Sequence, residues 1–542
     1  MQKVLDGRAT EKTLDNIRMM ATMIRSSADC AIGWNAADEV LKGLDLFADE
    51  YKSHIENKKC LESIGQKVPC ISLCPAHVNI PGYIALVGEE DYAGAINLIR
   101  KDNPFPTACA MVCEHPCEER CRRKMLESPI NIRALKKYAV DMMPVDKVAT
   151  PKPNPSTGKS IGVIGGGPAG LTAAYFLALM GHKIEVYETH DKLGGMLRYG
   201  IPNYRFPKDR LDEDIRAILN SGDIHVTYNT TIGKDIPVKD IYEKHDAIFV
   251  GIGAQTGKTL RIEGADAGNV VSAVDILDQI GNGNLPDYTG KSVVVIGGGN
   301  VAMDCARSAV RCNAEVSIIY RRRQKDMTAL ESEIESAVME GIALVTLQAP
   351  VEITKDENGN CKSLITQPQM ISAYRGSRPA PKDAAKEKQE FKADVIMIAV
   401  GQDIVSAPFE EFGIPAKWNI LQAGLDTEVK EIPGVFTGGD CATGPSTVIR
   451  AIAAGKVAAH NIDEYLGYHH TLTCEAVVPE PKENMRDLMG RTEIGERPAN
   501  IRKKDFEHVE ELLTHEEAMQ EACRCLRCDH FGCGAMVGGR DL

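Results

Sequence analysis

The stretch Ser160–Glu188, SIGVIGGGPAGLTAAYFLALMGHKIEVYE, decides the fold. A short apolar run from Ile161 to Ile164 predicts a strand, Gly165, Gly167 and Gly170 make a GxGxxG turn, and small and apolar residues from Pro168 and Ala169 onward predict a helix. A second strand, Ile184 to Tyr187, then ends on Glu188. The first glycine permits the tight turn, the second lets a pyrophosphate approach the backbone, and the third lets helix and strand pack closely. The helix N-terminus turns its positive end to the phosphates. Glu188 lies about 20 residues beyond the turn, where a carboxylate can accept the hydroxyls of an adenosine ribose. Strand, helix and acid together favour a bound dinucleotide over a purely structural glycine turn.

The pattern returns. From Lys291 the chain reads KSVVVIGGGNVAMDCARSAVRCNAEVSIIYRRR, with Gly297, Gly299 and Ala302 at the three small-residue places and Asn300 and Val301 at the start of the helix. Where the first motif ends on Glu188, this one ends on Tyr320, followed by Arg321, Arg322 and Arg323. A guanidinium suits a 2′-phosphate that a carboxylate would repel. The second site therefore reads as NADP(H), held by Arg321 and Arg322, and the first as a cofactor with a free ribose, most simply FAD. The competing account of the arginines is a solvated face; their place at a strand end favours the phosphate. The expected fold class is α/β with two Rossmann-like dinucleotide-binding domains.

A chain of 542 residues has room for about two to four domains. A net charge of -13 with no basic domain argues against a nucleic-acid partner. No apolar run reaches the roughly 18 residues a membrane span needs. The N-terminal MQKVLDGRATEKTLDNIRMM is polar where a signal peptide would be apolar, which predicts a cytoplasmic protein.

Twelve of the 17 cysteines crowd the two ends: Cys30, Cys60, Cys70, Cys74, Cys109, Cys113, Cys117 and Cys121 on one side, and Cys523, Cys525, Cys528 and Cys533 on the other. Clustering without a secretion signal favours metal over disulfides. The repeated spacing of four in Cys109–Cys121 puts thiolates on successive turns, as iron-sulfur clusters need, and the region lacks the CxxC knuckles usual for four-cysteine zinc sites. The tail's CxCxxC with a fourth cysteine close behind is a further metal signal, set within HVEELLTHEEAMQEACRCLRCDH, which predicts one helix.

Two resemblances extend this reading. Helical residues 1–60 resemble the cluster-binding C-terminus of the complex I NADH-binding flavoprotein subunit, through Cys30-Ala31-Ile32-Gly33, Ala36-Ala37 and the Phe47–Ile55 stretch FADEYKSHI. That likeness implies Cys30 as a [4Fe-4S] ligand, although the upstream CxxCxxC supplying the other three is absent. PCISLCPAHVNIPGYIALV, NPFPTACAMVCEHPCEERCRR and the paired glycine motifs resemble the glutamate synthase small (beta) subunit and its relatives, including the N-terminal half of dihydropyrimidine dehydrogenase. This implies a helical domain with two [4Fe-4S] clusters, then an FAD domain with an NADPH domain inserted in it. Cys70, Cys74, Cys113, Cys117 and Cys121 match cluster ligands. Where relatives complete one cluster with a glutamine, NIRALKKY has Lys136 and Lys137, so Cys109 or Cys60 must close it. Cys30 is the candidate to join the tail thiolates in a third cluster.

The expected boundaries are 1–60 for the complex I-like segment, 61–150 for the helical [4Fe-4S] domain, 151–285 with 396–470 for FAD, 286–395 for NADPH, and 471–542 for the cysteine-rich tail. DAIFVGIG, ending on Gly253, and DVIMIAVG, ending on Gly401, mark the two crossings between nucleotide domains. Gly195, Met196 and Arg198 lie in a stretch resembling the family's flavin-adjacent loop. Gly439 and Asp440 end GVFTGGD, and Thr447 precedes the helix that follows. By the resemblance Asp440 contacts the ribityl and pyrophosphate part of FAD.

The expected chemistry is hydride exchange between NADPH and flavin, coupled to single-electron steps through two to three clusters. It requires placed rings and no acid-base residue, so no catalytic side chain is expected. The central region lacks a CxxC beside the flavin, which argues against a thioredoxin reductase. The expected setting is a larger complex with other redox subunits, an electron-bifurcating transhydrogenase or hydrogenase-linked enzyme. The alternative is a glutamate synthase (NADPH) small subunit.

Overall fold

The computed structural model describes residues 9–56, 68–375, 378–481 and 487–530. Cys60 and Cys533 lie outside the described residues. Two parallel sheets of five strands form its centre. In the first the order is Val435–Thr437, Ala247–Val250, Ser160–Ile164, Lys183–Tyr187 and Ile224–Thr227. The central strands are buried on both faces, which explains their unbroken apolar runs. The helix Pro168–Leu179 is apolar all round for the same reason, packed between this sheet and the helix Val448–Tyr465.

In the second sheet the order is Val270–Ser272, Val395–Ile398, Ser292–Ile296, Glu315–Tyr320 and Ala343–Thr346. In sequence its strands fall between Ala247–Val250 and Val435–Thr437 of the first sheet, so one unit is inserted in the other. Val270–Ser272 already belongs to the second sheet, so the inserted unit begins before residue 286. At the junction Thr256–Gly257 pairs antiparallel with Gln402–Asp403. An antiparallel sheet of Gln348–Lys355, Cys361–Arg375, Arg378–Asp383 and Gln389–Lys392 lies beside the second sheet in sequence.

Helices Glu11–Ser27 and Ala31–Leu46 form a hairpin, followed by Ala48–Glu56. The cysteine-rich unit contains helices Pro69–Leu73, Ile80–Gly88, Tyr92–Arg100, Pro106–Met111 and Ile132–Met142. Its buried residues, among them Tyr83, Ile99 and Leu135, share one apolar core with the first nucleotide unit. Asp214 of that unit accepts the N–H groups of Thr107 and Ala108 at 3.2 and 2.9 Å, fixing the start of the helix that carries Cys109. Burial pushes the Asp214 carboxyl up to about 7 against those N–H groups.

The predicted long tail helix is shorter. Helix runs only over His515–Cys523, because Thr514 caps it: the Thr514 hydroxyl accepts Glu517 N–H and the Glu517 carboxylate accepts Thr514 N–H. The preceding stretch is extended, with Val509 N–H donating to Tyr204 O. Among the described residues no helix is long and apolar enough to cross a membrane.

Candidate functional site

The glycine turn of the first unit opens onto a cleft lined by Gly165, Gly167, Pro168, Ala169, Glu188, Gly195, Met196, Gly253, Asp440 and Thr447. Its three glycines do different work. Gly165 has φ +104°, and a Cβ on Gly170 would lie 1.9 Å from Gly165 O, so turn and helix are pressed together there. A Cβ on Gly167 would meet nothing nearer than 3.8 Å, which leaves the backbone open to a ligand. Glu188 accepts Gly166 N–H at 2.8 Å and His190 N–H at 2.9 Å, and it raises the pKa of His190, whose Nδ1 lies 2.9 Å away. The Asp440 carboxylate accepts Ser446 N–H at 3.1 Å, while burial pushes its pKa up to about 6. It is a half-buried acceptor that a ligand hydroxyl would satisfy.

The second unit opens onto a larger cleft of about 1040 Å³, lined by Gly297, Gly299, Asn300, Val301, Arg321, Arg322 and Gly401. Arg322 Nε donates to Pro379 O at 2.9 Å, and Arg323 is held by Asp326. Of the three arginines, Arg321 and Arg322 therefore face the cleft and Arg323 is engaged elsewhere. Both clefts are lined by Glu114, Asn300, Val301, Gln402, Ser446 and Thr447, so the two nucleotide sites meet.

Glu114 comes from the cysteine-rich unit and accepts from Asn300 Nδ2 at 2.9 Å. Its neighbour Val112 also lines the first cleft. Between them Cys113 belongs to a set with Cys74, Cys109 and Cys117, all buried, around the buried ammonium of Lys136. Burial alone would lower the Lys136 pKa; the four thiols together raise it. Lys137 faces away and donates to Asp141 at 2.7 Å. Cys109 thus occupies the place beside Lys136 where the family resemblance called for another ligand.

The remaining candidates separate. Cys70 and Cys121 line a small apolar cavity together with Cys525 and Cys528. Cys523 ends the tail helix and is exposed. Cys30, exposed at the N-cap of its helix, is not among the residues lining that cavity, in contrast to its expected place with the tail thiolates. Arg198 and Gly439 do not line the first cleft. The Arg198 guanidinium is held by Leu193 O at 2.6 Å and by Asp212, and a Cβ on Gly439 would lie 2.9 Å from the Ala169 Cβ. Sequence reasoning missed Glu114, Arg205 and Asp304. Glu114 sits in CEHPC, where attention goes to the cysteines, and the Arg205–Asp304 pair, at 2.9 Å, joins residues far apart in the chain.

Residues 159–455 match the pyridine nucleotide-disulphide oxidoreductase family. Residues 39–148 match dihydropyrimidine dehydrogenase domain II with its 4Fe-4S cluster, and residues 1–54 the NADH-ubiquinone oxidoreductase-F iron-sulfur binding region. The chain is 32% identical to the NADPH-Fe(3+) oxidoreductase subunit beta of Geobacter sulfurreducens, over 97% of this chain and 85% of the relative. It is 30% identical to the NADP(+)-dependent formate dehydrogenase subunit beta of Moorella thermoacetica, over 99% and 87%. It is also 30% identical to the glutamate synthase [NADPH] small chain of Azospirillum brasilense, over 73% and 86%. Among solved structures, FprA of Mycobacterium tuberculosis superposes with TM-score 0.51 at 19% identity, over 58% of this chain and 85% of that one, a likeness of fold.

Proposed function

The chain belongs to the pyridine nucleotide-disulphide oxidoreductase family, in its glutamate synthase small-subunit-like branch, and on that premise we propose that it is the NADPH-handling subunit of a larger redox complex. It is an NADPH-dependent oxidoreductase whose cofactors are FAD, NADP(H) and [4Fe-4S] clusters. When bound, FAD supplies conversion between two-electron exchange with a nicotinamide and one-electron exchange with the clusters.

In this reading Gly167 gives the pyrophosphate of FAD its approach, Glu188 takes the ribose hydroxyls, and Asp440 accepts from the ribityl side. Arg321 and Arg322 select the 2′-phosphate of NADP(H). Cys74, Cys109, Cys113 and Cys117 hold one cluster, with Lys136 offsetting its negative charge. The observation that carries the proposal is the segment Val112–Glu114. It lines the first cleft through Val112, both clefts through Glu114, and supplies Cys113 to the thiol set. Flavin, nicotinamide and cluster sites therefore share one wall.

Anaerobic titration of the reconstituted chain tests this. NADPH should bleach the flavin at least about tenfold faster than NADH, with cluster EPR signals following. Equal rates would refute the phosphate role of the arginines, and an unreduced flavin would refute the activity.

The complex is proposed to be transhydrogenase- or hydrogenase-like rather than glutamate synthase. In support, the two beta subunits match nearly the whole chain, whereas the glutamate synthase small chain matches 73% of it. Isolation of the complex from its host should yield other redox subunits and no glutamate-forming chain. Bifurcation is proposed as its mode, supported by two different cluster-type segments that precede the flavin unit in the chain. It requires that a low-potential acceptor be reduced only while a high-potential one is present. The proposed compartment is the cytoplasm, where free thiols persist.

A further inference from the structure

We propose that Cys70 and Cys121, with Cys525 and Cys528 of the tail, form a single [4Fe-4S] site, so that one cluster is held by both ends of the chain. The tail is then the second half of a site in the N-terminal unit and not a cluster module of its own.

Four observations carry this. The four cysteines line one cavity whose other walls are mostly apolar, including Ile80, Pro81, Ile84 and Leu526, together with Arg122 and Arg123. The four thiols lie within electrostatic reach of one another: Cys70 interacts with Cys525, Cys528 and Cys121, and Cys528 with Cys121. Four free thiols gathered in one hollow, with Arg122 beside Cys528, suit iron, which would bind each as the thiolate. On loading, each S–H proton leaves for solvent as a sulfur–iron bond forms, with no change of electron count.

The third observation is that the tail is held in register by a built interface. The Arg524 side chain is fully buried and donates to Ser128 O, Pro129 O, Glu127 and Glu521. Glu521, also fully buried, accepts Asn131 N–H at 2.7 Å and Thr492 N–H at 2.8 Å. Arg527, at φ +45°, donates to Pro479 O at 2.7 Å and turns the backbone between the two cysteines. Buried charges of this kind are tolerated only when fully paired, so the segment has one seat.

The fourth concerns which metal. Tetrahedral zinc with Zn–S near 2.3 Å would draw its four sulfurs to about 3.8 Å from one another. Among the described residues, three or more metal-ligating atoms lie mutually within 4.8 Å at His182, Asp463 and His470, and at no set of cysteines. The wider spacing suits a cubane. Cys117 is also within electrostatic reach of Cys70, so this site adjoins the set around Lys136. Tyr83 lies within electrostatic reach of Cys117, Cys70 and Cys74, members of both sets.

The full chain is reconstituted anaerobically with iron and sulfide, and iron per chain, flavin per chain and the EPR spectrum of the reduced protein are recorded. C525S/C528S should lose about four irons and one cluster signal while keeping its flavin. C70S should lose the same signal, and C70S combined with C525S/C528S should lose no more iron than either. C523S, at an exposed thiol outside the cavity, should lose none. Limited proteolysis adds a readout that activity does not share: loading should protect residues 487–530 in wild type and not in C70S. Full iron in C525S/C528S, additive losses in the combined variant, or stoichiometric zinc with the iron unchanged would each overturn the proposal. If C525S/C528S loses flavin as well, C70S and the proteolysis comparison decide.

Discussion

The two dinucleotide units share a five-stranded parallel sheet, a glycine turn and an open space beside the second glycine, yet different forces build them into the molecule. The first is seated by apolar burial: its helix Pro168–Leu179 packs on Val448–Tyr465 in a core continuous with the cysteine-rich unit. The second has its own core and is tied down by charge. Arg205 pairs with Asp304 and Glu333, and Glu340, fully buried, collects Arg307, Arg311 and Arg502. Arg502 belongs to the tail, as does Glu496, which accepts from Ser336 at 3.1 Å. Apolar contact is non-directional and holds over a broad area, whereas an ion network fixes one orientation through a few atoms. Repetition of a motif thus fixes a unit's interior and says nothing about its attachment.

The largest effect is expected at the third small residue. Gly170→Ala places a Cβ 1.9 Å from Gly165 O and should abolish flavin retention, seen as loss of bound flavin absorbance after gel filtration. Ala302→Gly, at the matching place in the second unit, should cost only about 1 kcal/mol and leave NADPH oxidation intact. Similar outcomes for both would break the comparison.

Glu340→Ala leaves three guanidinium groups without their shared carboxylate and should cost about 3–5 kcal/mol. Calorimetry should show the second unit melting early while flavin stays bound; simultaneous loss of flavin would mean that the ion network also seats the first unit. Next, Arg321→Ala with Arg322→Ala should lower kcat/KM for NADPH about 10- to 100-fold, or about 1.4–2.8 kcal/mol, and leave NADH unchanged.

Acid offers a milder probe of the same network. Burial opposes the Glu340 charge, but Arg311 and Arg307 win and hold its pKa down to about 2, from an ordinary 4.5. A lowered carboxylate contributes stability that is complete above about 4.5 and fades as pH falls toward 2. The second unit's melting temperature should fall through that window more steeply in wild type than in Glu340→Gln. The smallest effect is expected for Arg323→Ala: its partner is Asp326, both lie near the surface, and the change in kcat/KM for NADPH should stay within about twofold.

Much of this was legible in the residues. Local pattern carried both glycine turns, Glu188, the arginine strand end and the insertion of one nucleotide unit in the other, because each depends on spacing over a few tens of residues. The inserted unit's start was read too late because Val270–Ser272 is a three-residue edge strand with a weak pattern. Arg198 was carried over from a loop resemblance, and in the fold its charge is needed to pin that loop to Asp212.

The sequence by itself determined two glycine turns, the acid that ends one motif and the arginines that end the other, and the crowding of thiols at the two ends. Tertiary structure alone decided the groupings. It set Cys109 beside Lys136, brought Glu114 between two clefts, and seated Cys525 and Cys528 against Cys70 and Cys121. The reason is physical: a turn is specified by backbone sterics within itself, whereas a contact between the ends of a chain is specified by the burial and pairing of everything that brings them together.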